Sequence, residues 1–371
     1  MELSAPLIVG GGPAGSAAAI QLARGGCRPT LIERQPGPID KVCGDFLSAE
    51  AITIITALGV DLAALDPAPI RALRLVHGGG EAETRLPFPA MAVSRRMLDE
   101  ALLTRAAAEG AVVHRGHAVR RVEVDGLRVD AGALGTFKPP AVFLATGKHD
   151  LRGLARPGRT GGPIGLKNYF VLAPAQHAAL AGHVELVMFP GGYAGLQPVE
   201  AGRATLCLIV SARRWEQVGQ RWESLLDALT ARSPHLAGRL AGAMPLLERP
   251  LAVAGLPYGY LHPPTAPTGL YRLGDQASVI PSLTGDGVSI ALASGALAAE
   301  TWLKAGDAAL YHRRLYDRLR GQMRLAVLIH RAALGSAQPL LLVAGRAAPA
   351  LMRLAATRTR LRQEMITIGA I

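Results

Sequence analysis

The feature that most constrains this 371-residue chain is a glycine fingerprint, G-x-G-x-x-G, formed by Gly10, Gly12 and Gly15. It follows the apolar run PLIV, which is typical of a buried strand, and it opens the helix-like segment PAGSAAAIQLAR. A second apolar run, TLIE, ends at Glu33. This order predicts a dinucleotide-binding βαβ unit: a strand, a glycine turn, a helix and a second strand that ends in an acid.

Each residue of the fingerprint has a physical task in such a unit. Gly10 allows the tight turn, Gly12 lets the backbone approach a pyrophosphate, and Gly15 lets the helix pack closely on the strand. The N-terminus of the helix offers free N–H groups, and Glu33 accepts hydrogen bonds from a ribose. We therefore expect the nucleotide to contact Gly10, Gly12, Pro13, Ala14, Gly15, Glu33 and Arg34.

The fingerprint alone does not separate NAD from FAD, but residues 269–300 do. There a short strand leads into Gly274 and Asp275, then a proline-containing loop, and then TGDG, which opens a long helix of small residues. A simple NAD dehydrogenase needs no such element. This stretch therefore favours FAD.

Four pieces of the chain resemble the FAD-binding superfamily that contains aromatic-ring hydroxylases and geranylgeranyl reductases. They are the fingerprint, VSRRMLDEALLTRAAAEGA (residues 93–111), VFLATG (142–147) and residues 274–295. The resemblance implies that Asp275 bonds the ribityl and pyrophosphate region, that Arg95 rather than Arg96 lies near the phosphates, and that the loop 281–287 lies against the flavin ring. The cofactor residues implied in this way are Arg95, Thr146, Gly147, Gly274, Asp275, Pro281, Gly285, Asp286, Gly287 and Val288.

The helix that starts near Gly285 would direct its positive dipole end at the negative charge of a reduced flavin. Gly285 and Gly287 would let backbone N–H groups approach the ring. For Asp286 a second interpretation stays open, that of a simple N-terminal cap of this helix.

The stretch KVCGDFLS, which contains Cys43, is similar to the K-x-C-G-x-x-x-S region of geranylgeranyl reductase-like flavoproteins. A redox disulfide is not expected, because Ser48 stands where the second cysteine would be and no second fingerprint follows a strand. The resemblance places Cys43 and Gly44 beside the flavin, with Cys43 as a candidate catalytic residue that tunes the flavin or gives a proton. The alternative is that Cys43 is a small buried apolar side chain.

The segment FPGGYAGLQP (residues 189–198) resembles the substrate side of the reductases, which usually carries Tyr-x-Trp-x-Phe-Pro. Tyr193 and Pro198 match that pattern, whereas Gly195 and Gln197 replace its Trp and Phe, so a prenyl-shaped pocket would change. The Trp-x-Trp-x-Ile-Pro of flavin halogenases is absent from this segment. We expect a substrate pocket formed by Phe46, Tyr193, Gly195, Pro198 and Leu283.

Two reactions remain open. The altered prenyl segment favours an NAD(P)H-linked monooxygenase that hydroxylates a lipophilic phenolic compound or a similar metabolite. KVCG and SLTGDG favour the alternative, a flavin reductase of a carbon–carbon double bond in a lipophilic substrate. The loop ATGKHDLRG lacks the Asp-Gly motif with which many hydroxylases help to bind NADPH. A flavin-binding carrier or sensor without turnover is a third, less favoured hypothesis.

The expected fold is α/β: a Rossmann-like FAD-binding domain of the hydroxylase type with an inserted antiparallel β-rich substrate domain and C-terminal helices. We assign residues 1–70, 92–155 and 255–305 to the FAD domain, 71–91 and 156–254 to the substrate domain, and 306–371 to the helical segment. The pattern of residues 213–233 predicts one amphipathic helix.

Composition excludes several other functions. The net charge of +12 is not accompanied by aromatic–basic interleaving, so no nucleic-acid partner is expected. Three scattered cysteines fit a reducing cytoplasm and predict no metal site or disulfide framework. Residues 341–362 are apolar and rich in arginine, and they either cap the substrate pocket or lie peripherally on a membrane.

Overall fold

The structure, a computed structural model, describes residues 1–158, 161–361 and residue 365. The strands, in chain order, are β1 (Leu7–Val9), β2 (Thr30–Glu33), β3 (Phe46–Leu47), β4 (Ala68–His77), β5 (Gly80–Ala92), β6 (Val112–Arg115), β7 (Arg121–Glu123), β8 (Arg128–Asp130), β9 (Thr136–Phe137), β10 (Val142–Leu144), β11 (Ile164–Val171), β12 (His183–Phe189), β13 (Gly192–Pro198), β14 (Ala204–Val210), β15 (Met244–Pro245), β16 (Leu251–Val253) and β17 (Leu270–Arg272). The helices are α1 (Pro13–Arg24), α2 (Ala49–Ala57), α3 (Arg95–Ala108), α4 (Pro174–Leu180), α5 (Ala212–Gln217), α6 (Trp222–Thr230), α7 (Pro234–Leu240), α8 (Gly287–Ala305), α9 (Ala308–Leu334), α10 (Gln338–Ala347) and α11 (Pro349–Arg358).

A parallel sheet with the order β17-β10-β1-β2-β6 forms the nucleotide-binding half of the molecule. All three residues of β1 are buried, as expected for a strand covered on both faces. Ile8 faces the layer of helices α1, α3 and α8, while Leu7 and Val9 face the small antiparallel sheet β7-β8-β9. The alternation along one strand thus builds two separate cores.

Helices α1 and α8 pack closely on each other because small residues line their contact. A β-carbon on Gly295 of α8 would lie 2.1 Å from the carbonyl oxygen of Ala14 in α1. This closeness brings the N-terminus of α8 to the same side of the parallel sheet as the glycine turn. The small-residue composition of residues 287–300 therefore serves helix packing.

A nine-stranded sheet with the order β15-β11-β14-β13-β12-β4-β5-β3, in which β16 also pairs with β11, forms the other half. The expectation of an antiparallel insert is correct for most of these pairs, but β12 runs parallel to β4. The two strands are separated by 105 residues in sequence, so no hairpin forces them to run in opposite directions. The combination of a parallel sheet and a large mixed sheet confirms the α/β fold class, while the domain boundaries stay a prediction.

The single helix predicted over residues 213–233 is wrong. The chain forms α5 and α6 instead, separated at Gly219 and Gln220, which both have positive φ angles of 70° and 55°. A helix cannot continue through that conformation. Trp215 and Trp222 nevertheless pack in the same hydrophobic core, under β13 and β14.

The C-terminal segment is helical, as predicted. Helices α10 and α11 lie against the β4–β5 hairpin: Gly80 approaches Leu342, and Arg346 Nε donates to the carbonyl of Glu81 at 2.7 Å. Within the described ranges no single helix is both long and apolar enough to cross a membrane. Helices α9 and α10 meet that test only as a pair, by length and composition, and they are bent by 111° at the break between them.

Candidate flavin and substrate site

A single cavity of about 900 Å³ runs from the glycine turn to the C-terminal helices. Of the residues predicted to contact cofactor or substrate, those that line it are Gly10, Gly12, Pro13, Ala14, Glu33, Arg34, Cys43, Gly44, Phe46, Arg95, Thr146, Gly147, Tyr193, Gly195, Gly274, Asp275, Leu283, Gly285, Gly287 and Val288. Seven separate stretches of the chain therefore meet at one cavity.

The glycine turn at the first end of the cavity needs glycine for three different reasons. Gly10 has a φ of 107°, and a β-carbon there would lie 2.5 Å from the carbonyl oxygen of Ala145. A β-carbon on Gly15 would lie 1.9 Å from the carbonyl oxygen of Gly10. At Gly12 it would meet only Arg95 Nη2, at 3.5 Å, so this backbone is open to the cavity.

Glu33 ends β2 beside this turn and is buried. Its Oε2 accepts a hydrogen bond from the N–H of Gly11 at 2.7 Å, and its Oε1 accepts one from the N–H of Gln35 at 2.9 Å. These two bonds hold the carboxylate at the cavity wall. The remaining lone pairs are available to a ribose hydroxyl.

Arg95 at the start of α3 also lines the cavity, whereas Arg96 is exposed. The guanidinium of Arg95 forms a bidentate ion pair with Asp99, at 2.7 and 2.8 Å, and Asp99 also accepts a hydrogen bond from Lys41 Nζ at 2.8 Å. Burial alone would raise the pKa of the Asp99 carboxyl, but Arg95 and Lys41 hold it below its usual value. The ionised carboxylate thus fixes Arg95 in place and ties it to the loop that carries Cys43.

Two helix N-termini face the cavity, and no side chain of the described residues caps the N–H groups of either one. They are the start of α1, after Gly12, and the start of α8, at Gly287 and Val288. Free N–H groups and the positive dipole end make each of them a site for negative charge. Together with the open backbone at Gly12, this arrangement fits FAD, whose pyrophosphate would lie at α1 and whose ring would lie at α8.

Four predicted site residues do not line the cavity. Gly15 acts through its packing against Gly10. Pro198 lies outside the lining, because side chains alternate along β13 and the cavity face carries Tyr193, Gly195 and Gln197. Pro281 also lies outside the lining, although its neighbours Ile280 and Ser282 belong to it.

Asp286 is the fourth, and it faces the C-terminal helices. Its Oδ2 accepts from Gln322 Nε2 of α9, and its Oδ1 lies 3.6 Å from Arg360 Nη1. Burial raises the pKa of this carboxyl to about 6, against the lowering effect of Arg360. Asp286 therefore lies outside the cavity lining, and its role as a flavin contact stays a prediction. Its side chain links the predicted flavin loop to Gln322 and Arg360.

Cys43 lines the cavity on a loop that a buried ion pair holds in place. Asp45 has a φ of 60°, and its Oδ2 accepts from Lys167 Nζ at 2.5 Å and from the Tyr169 hydroxyl at 2.9 Å. Both Asp45 and Lys167 are fully buried. Burial raises the pKa of the Asp45 carboxyl, against the lowering effects of Lys167 and Tyr169. We call Asp45, Lys167 and Tyr169 the loop clamp.

A cluster of hydroxyl and imidazole groups also borders the cavity, near the predicted flavin loop. The Tyr193 hydroxyl lies 2.9 Å from Ser282 Oγ and 3.4 Å from His330 Nδ1, and it accepts from the N–H of Leu283 at 3.3 Å. The Tyr258 ring meets the His330 ring edge to face, at 5.0 Å between centroids. Burial raises the pKa of the Tyr193 hydroxyl and lowers that of His330 to about 4.

Sequence reasoning missed the loop clamp, Tyr258 and His330. A signal existed for Lys167, since it is the single charge within the apolar run IGLKNYFV and such a charge needs a buried partner. His330 carried none, because its contact with Tyr193 spans 137 residues.

Comparisons with known proteins agree with this site. Residues 4–137 match the FAD binding domain family. Menaquinone reductase of Mycolicibacterium smegmatis is 29% identical over 81% of this chain and 76% of its own, and digeranylgeranylglycerophospholipid reductase 2 of Methanopyrus kandleri is 28% identical over the same shares. The chain thus contains an FAD binding domain and is similar in sequence to these two reductases, as the predicted resemblance to the hydroxylase and geranylgeranyl reductase superfamily implies.

Solved structures of this superfamily share the fold throughout. A flavin-dependent brominase has a TM-score of 0.79 with 19% identity, over 97% of this chain and 93% of its own. A geranylgeranyl bacteriochlorophyll reductase-like protein of Thermoplasma acidophilum has a TM-score of 0.72 with 18% identity, over 99% and 95%. These structures confirm the predicted fold, and the family match confirms the predicted FAD-binding domain, whereas the roles of the individual site residues stay predictions.

Proposed function

We propose that this flavoprotein reduces a carbon–carbon double bond in a lipophilic, isoprenoid-like substrate. The observation that carries the proposal is the apolar chamber beyond the flavin end of the cavity. Its wall is formed by the side chains of Leu73, Leu75, Leu86, Phe88, Val184, Leu186 and Met188. A chamber of this kind suits a long hydrocarbon chain, and the two reductase relatives named above support the same substrate class.

The chain's own residues would bind and orient the substrate and supply a proton. FAD, when bound and reduced, would supply the hydride, with NADH or NADPH as the proposed source of electrons. Tyr193 lines the cavity and carries its proton at neutral pH, and we assign it as the group that gives a proton to the substrate carbon. His330 is neutral at pH 7 and orients the Tyr193 hydroxyl from 3.4 Å. Cys43, which also lines the cavity, is the alternative proton donor.

A monooxygenase remains the second candidate, on one specific observation. Gly195 and Gln197 line the cavity where the reductases usually carry Trp and Phe, so the chamber is wider and more polar at that point. Such a chamber suits hydroxylation of an alkylated phenol, which was the reaction expected first from the sequence.

Product mass with and without oxygen tests the proposal. FAD-loaded protein is incubated with polyprenyl quinones or with alkylated phenols, using NAD(P)H in air or under nitrogen, and dithionite under nitrogen. We expect a product heavier by two hydrogens that forms equally without oxygen. A product heavier by one oxygen atom, formed only in air, would overturn the proposal in favour of the monooxygenase.

Variants identify the proton donor in the same assay. Tyr193→Phe should slow reduction by roughly 10²-fold or more, the usual contribution of a positioned acid, without loss of FAD. The matched control is Tyr316→Phe, because Tyr316 lies on α9 outside the cavity lining. If Cys43→Ser slows turnover and Tyr193→Phe does not, Cys43 is the donor.

A further inference from the structure

We propose that the outer faces of α10 and α11, with the end of α9, form a surface that docks on an anionic lipid bilayer, and that the substrate cavity opens there. We call this the docking surface and define it by Leu328, Leu340, Val343, Leu351 and Leu354. The inference goes beyond the proposed reaction and does not depend on it, because docking is measured without turnover.

The docking surface concentrates exposed apolar side chains. Leu340 is 70% exposed, Leu328 65%, Val343 60%, Leu351 53% and Leu354 50%. These are five of the ten large apolar side chains that are exposed in the described part of the chain. Their spacing of three residues within each of α10 and α11 puts them on one outward face of each helix. Such a concentration on one side of a protein marks an interaction surface.

The charge around this surface complements an anionic membrane. Residues 318–361 contain eight arginines and no Asp or Glu. Arg346, Arg353 and Arg358 are exposed on α10 and α11 beside the apolar face. Arginine around an apolar helix face is typical of helices that lie in the interfacial plane of anionic bilayers.

The same two helices form a wall of the substrate cavity with their inner faces. Leu341 and Gly345 of α10 and Met352 and Ala355 of α11 line it. Leu351 both lines the cavity and is half exposed, so it stands at the opening. A lipophilic molecule could therefore pass from a bilayer to the chamber without crossing water.

A second copy of this chain is a less suitable occupant. A two-fold dimer through the docking surface would place the arginines of one copy against the same arginines of the other. Repulsion between like charges opposes that contact, whereas the phosphate headgroups of a bilayer neutralise the positive charge of the arginines. The charge pattern therefore selects the membrane.

Vesicle flotation with the FAD-loaded full chain tests docking directly. We expect binding to vesicles that contain phosphatidylglycerol and at least tenfold weaker binding to pure phosphatidylcholine. Leu340→Glu/Val343→Glu/Leu354→Glu should reduce binding at least tenfold. The matched control is Met244→Glu/Leu246→Glu, which changes exposed apolar residues at β15 and should bind as the wild type does.

A second pair of variants tests the charge. Arg353→Glu/Arg358→Glu should weaken binding to the anionic vesicles, while Arg232→Glu/Arg249→Glu, with the same change in net charge on exposed residues elsewhere, should weaken it much less. Equal losses of vesicle binding in both pairs would overturn the docking surface, because they would indicate only a general electrostatic attraction between the protein and the vesicles.

A dimer through the same surface is the other outcome. The membrane would be overturned as occupant if the protein bound no vesicles and instead dimerised with increasing concentration, and if the triple Leu/Val variant abolished that dimerisation. Flavin absorbance of every variant checks that it is folded and loaded.

Discussion

The two ends of the cavity are built in different ways. The predicted cofactor end depends mainly on backbone: Gly10 and Gly15, whose neighbours leave no room for a side chain, Gly12, whose backbone is open to the cavity, and two uncapped helix N-termini. The predicted substrate end consists of side chains from strands and helices far apart in sequence, such as Tyr193 and His330. A side chain at Gly10 or Gly15 would disturb the fold, whereas a side-chain chamber accommodates many substitutions. This difference explains how one fold serves both hydroxylases and reductases.

The largest expected effect sharpens the contrast between two glycines of the fingerprint. Gly15→Ala should destabilise the fold by more than about 3 kcal/mol, the upper range for an overpacked core, because its β-carbon would lie 1.9 Å from a carbonyl oxygen. Gly12→Ala should fold normally and lose FAD affinity at least tenfold. Urea unfolding and flavin titration measure the two effects. Gly37→Ala, which meets nothing within 4 Å, is the control. Equal stability of all three variants would contradict the packing argument.

The loop clamp gives the next largest effect. Lys167→Met leaves the buried Asp45 carboxylate without its partner and should cost about 3–5 kcal/mol of unfolding free energy. The double variant Asp45→Asn/Lys167→Met should recover part of that stability, because no buried charge remains. The control is Lys304→Met, which breaks the exposed ion pair with Glu300 and should cost less than about 1 kcal/mol. The clamp argument fails if the Lys167 and Lys304 variants are equally stable.

Asp286 should give a pH-dependent effect of intermediate size. Its pKa of about 6 in the folded chain lies above that of an unfolded Asp, about 3.9, so the carboxyl stays protonated to higher pH in the folded state than in the unfolded state. The contribution of Asp286 to stability is thus fully present below about pH 4 and is lost as the pH rises through 6. From pH 4 to 7.5, Asp286→Asn should gain up to about 3 kcal/mol relative to the wild type. Exposed Asp317→Asn is the control in urea unfolding, and parallel curves for Asp286→Asn and the wild type would count against the raised pKa.

The smallest effect concerns the chamber alone. A β-carbon on Gly195 would make only ordinary contacts, at 3.7 Å to the Cys207 carbonyl and 3.8 Å to Leu186. Gly195→Ala should therefore behave as the wild type, whereas Gly195→Trp should fill part of the chamber. We expect KM for long-chain substrates to rise roughly tenfold, the scale of one or two methylene groups in an apolar pocket. We also expect an unchanged FAD affinity and a smaller rise of KM for short substrates. An equal rise of KM for long and short substrates would contradict the prediction.

Much of the cofactor end was predictable from the sequence. The predictable features are the glycine turn, Glu33, the position of Arg95 rather than Arg96 at the cavity, and the helix that begins at Gly287. All of them lie in short stretches whose residue types are demanded by local backbone geometry. The sequence does not predict the direction of a side chain. Pro198 lies on the face of β13 that points away from the cavity, and Asp286 turns toward α9.

Motifs of neighbouring residues were enough to predict the FAD-binding domain and the α/β fold class, because each depends on residues close together in the chain. Only the tertiary structure decided which side chains share the cavity. The loop clamp joins residues more than 120 positions apart, and α10 and α11 come to line the chamber by packing on the β4–β5 hairpin. Such contacts follow from the packing of whole sheets and helices, and local residue patterns do not encode them.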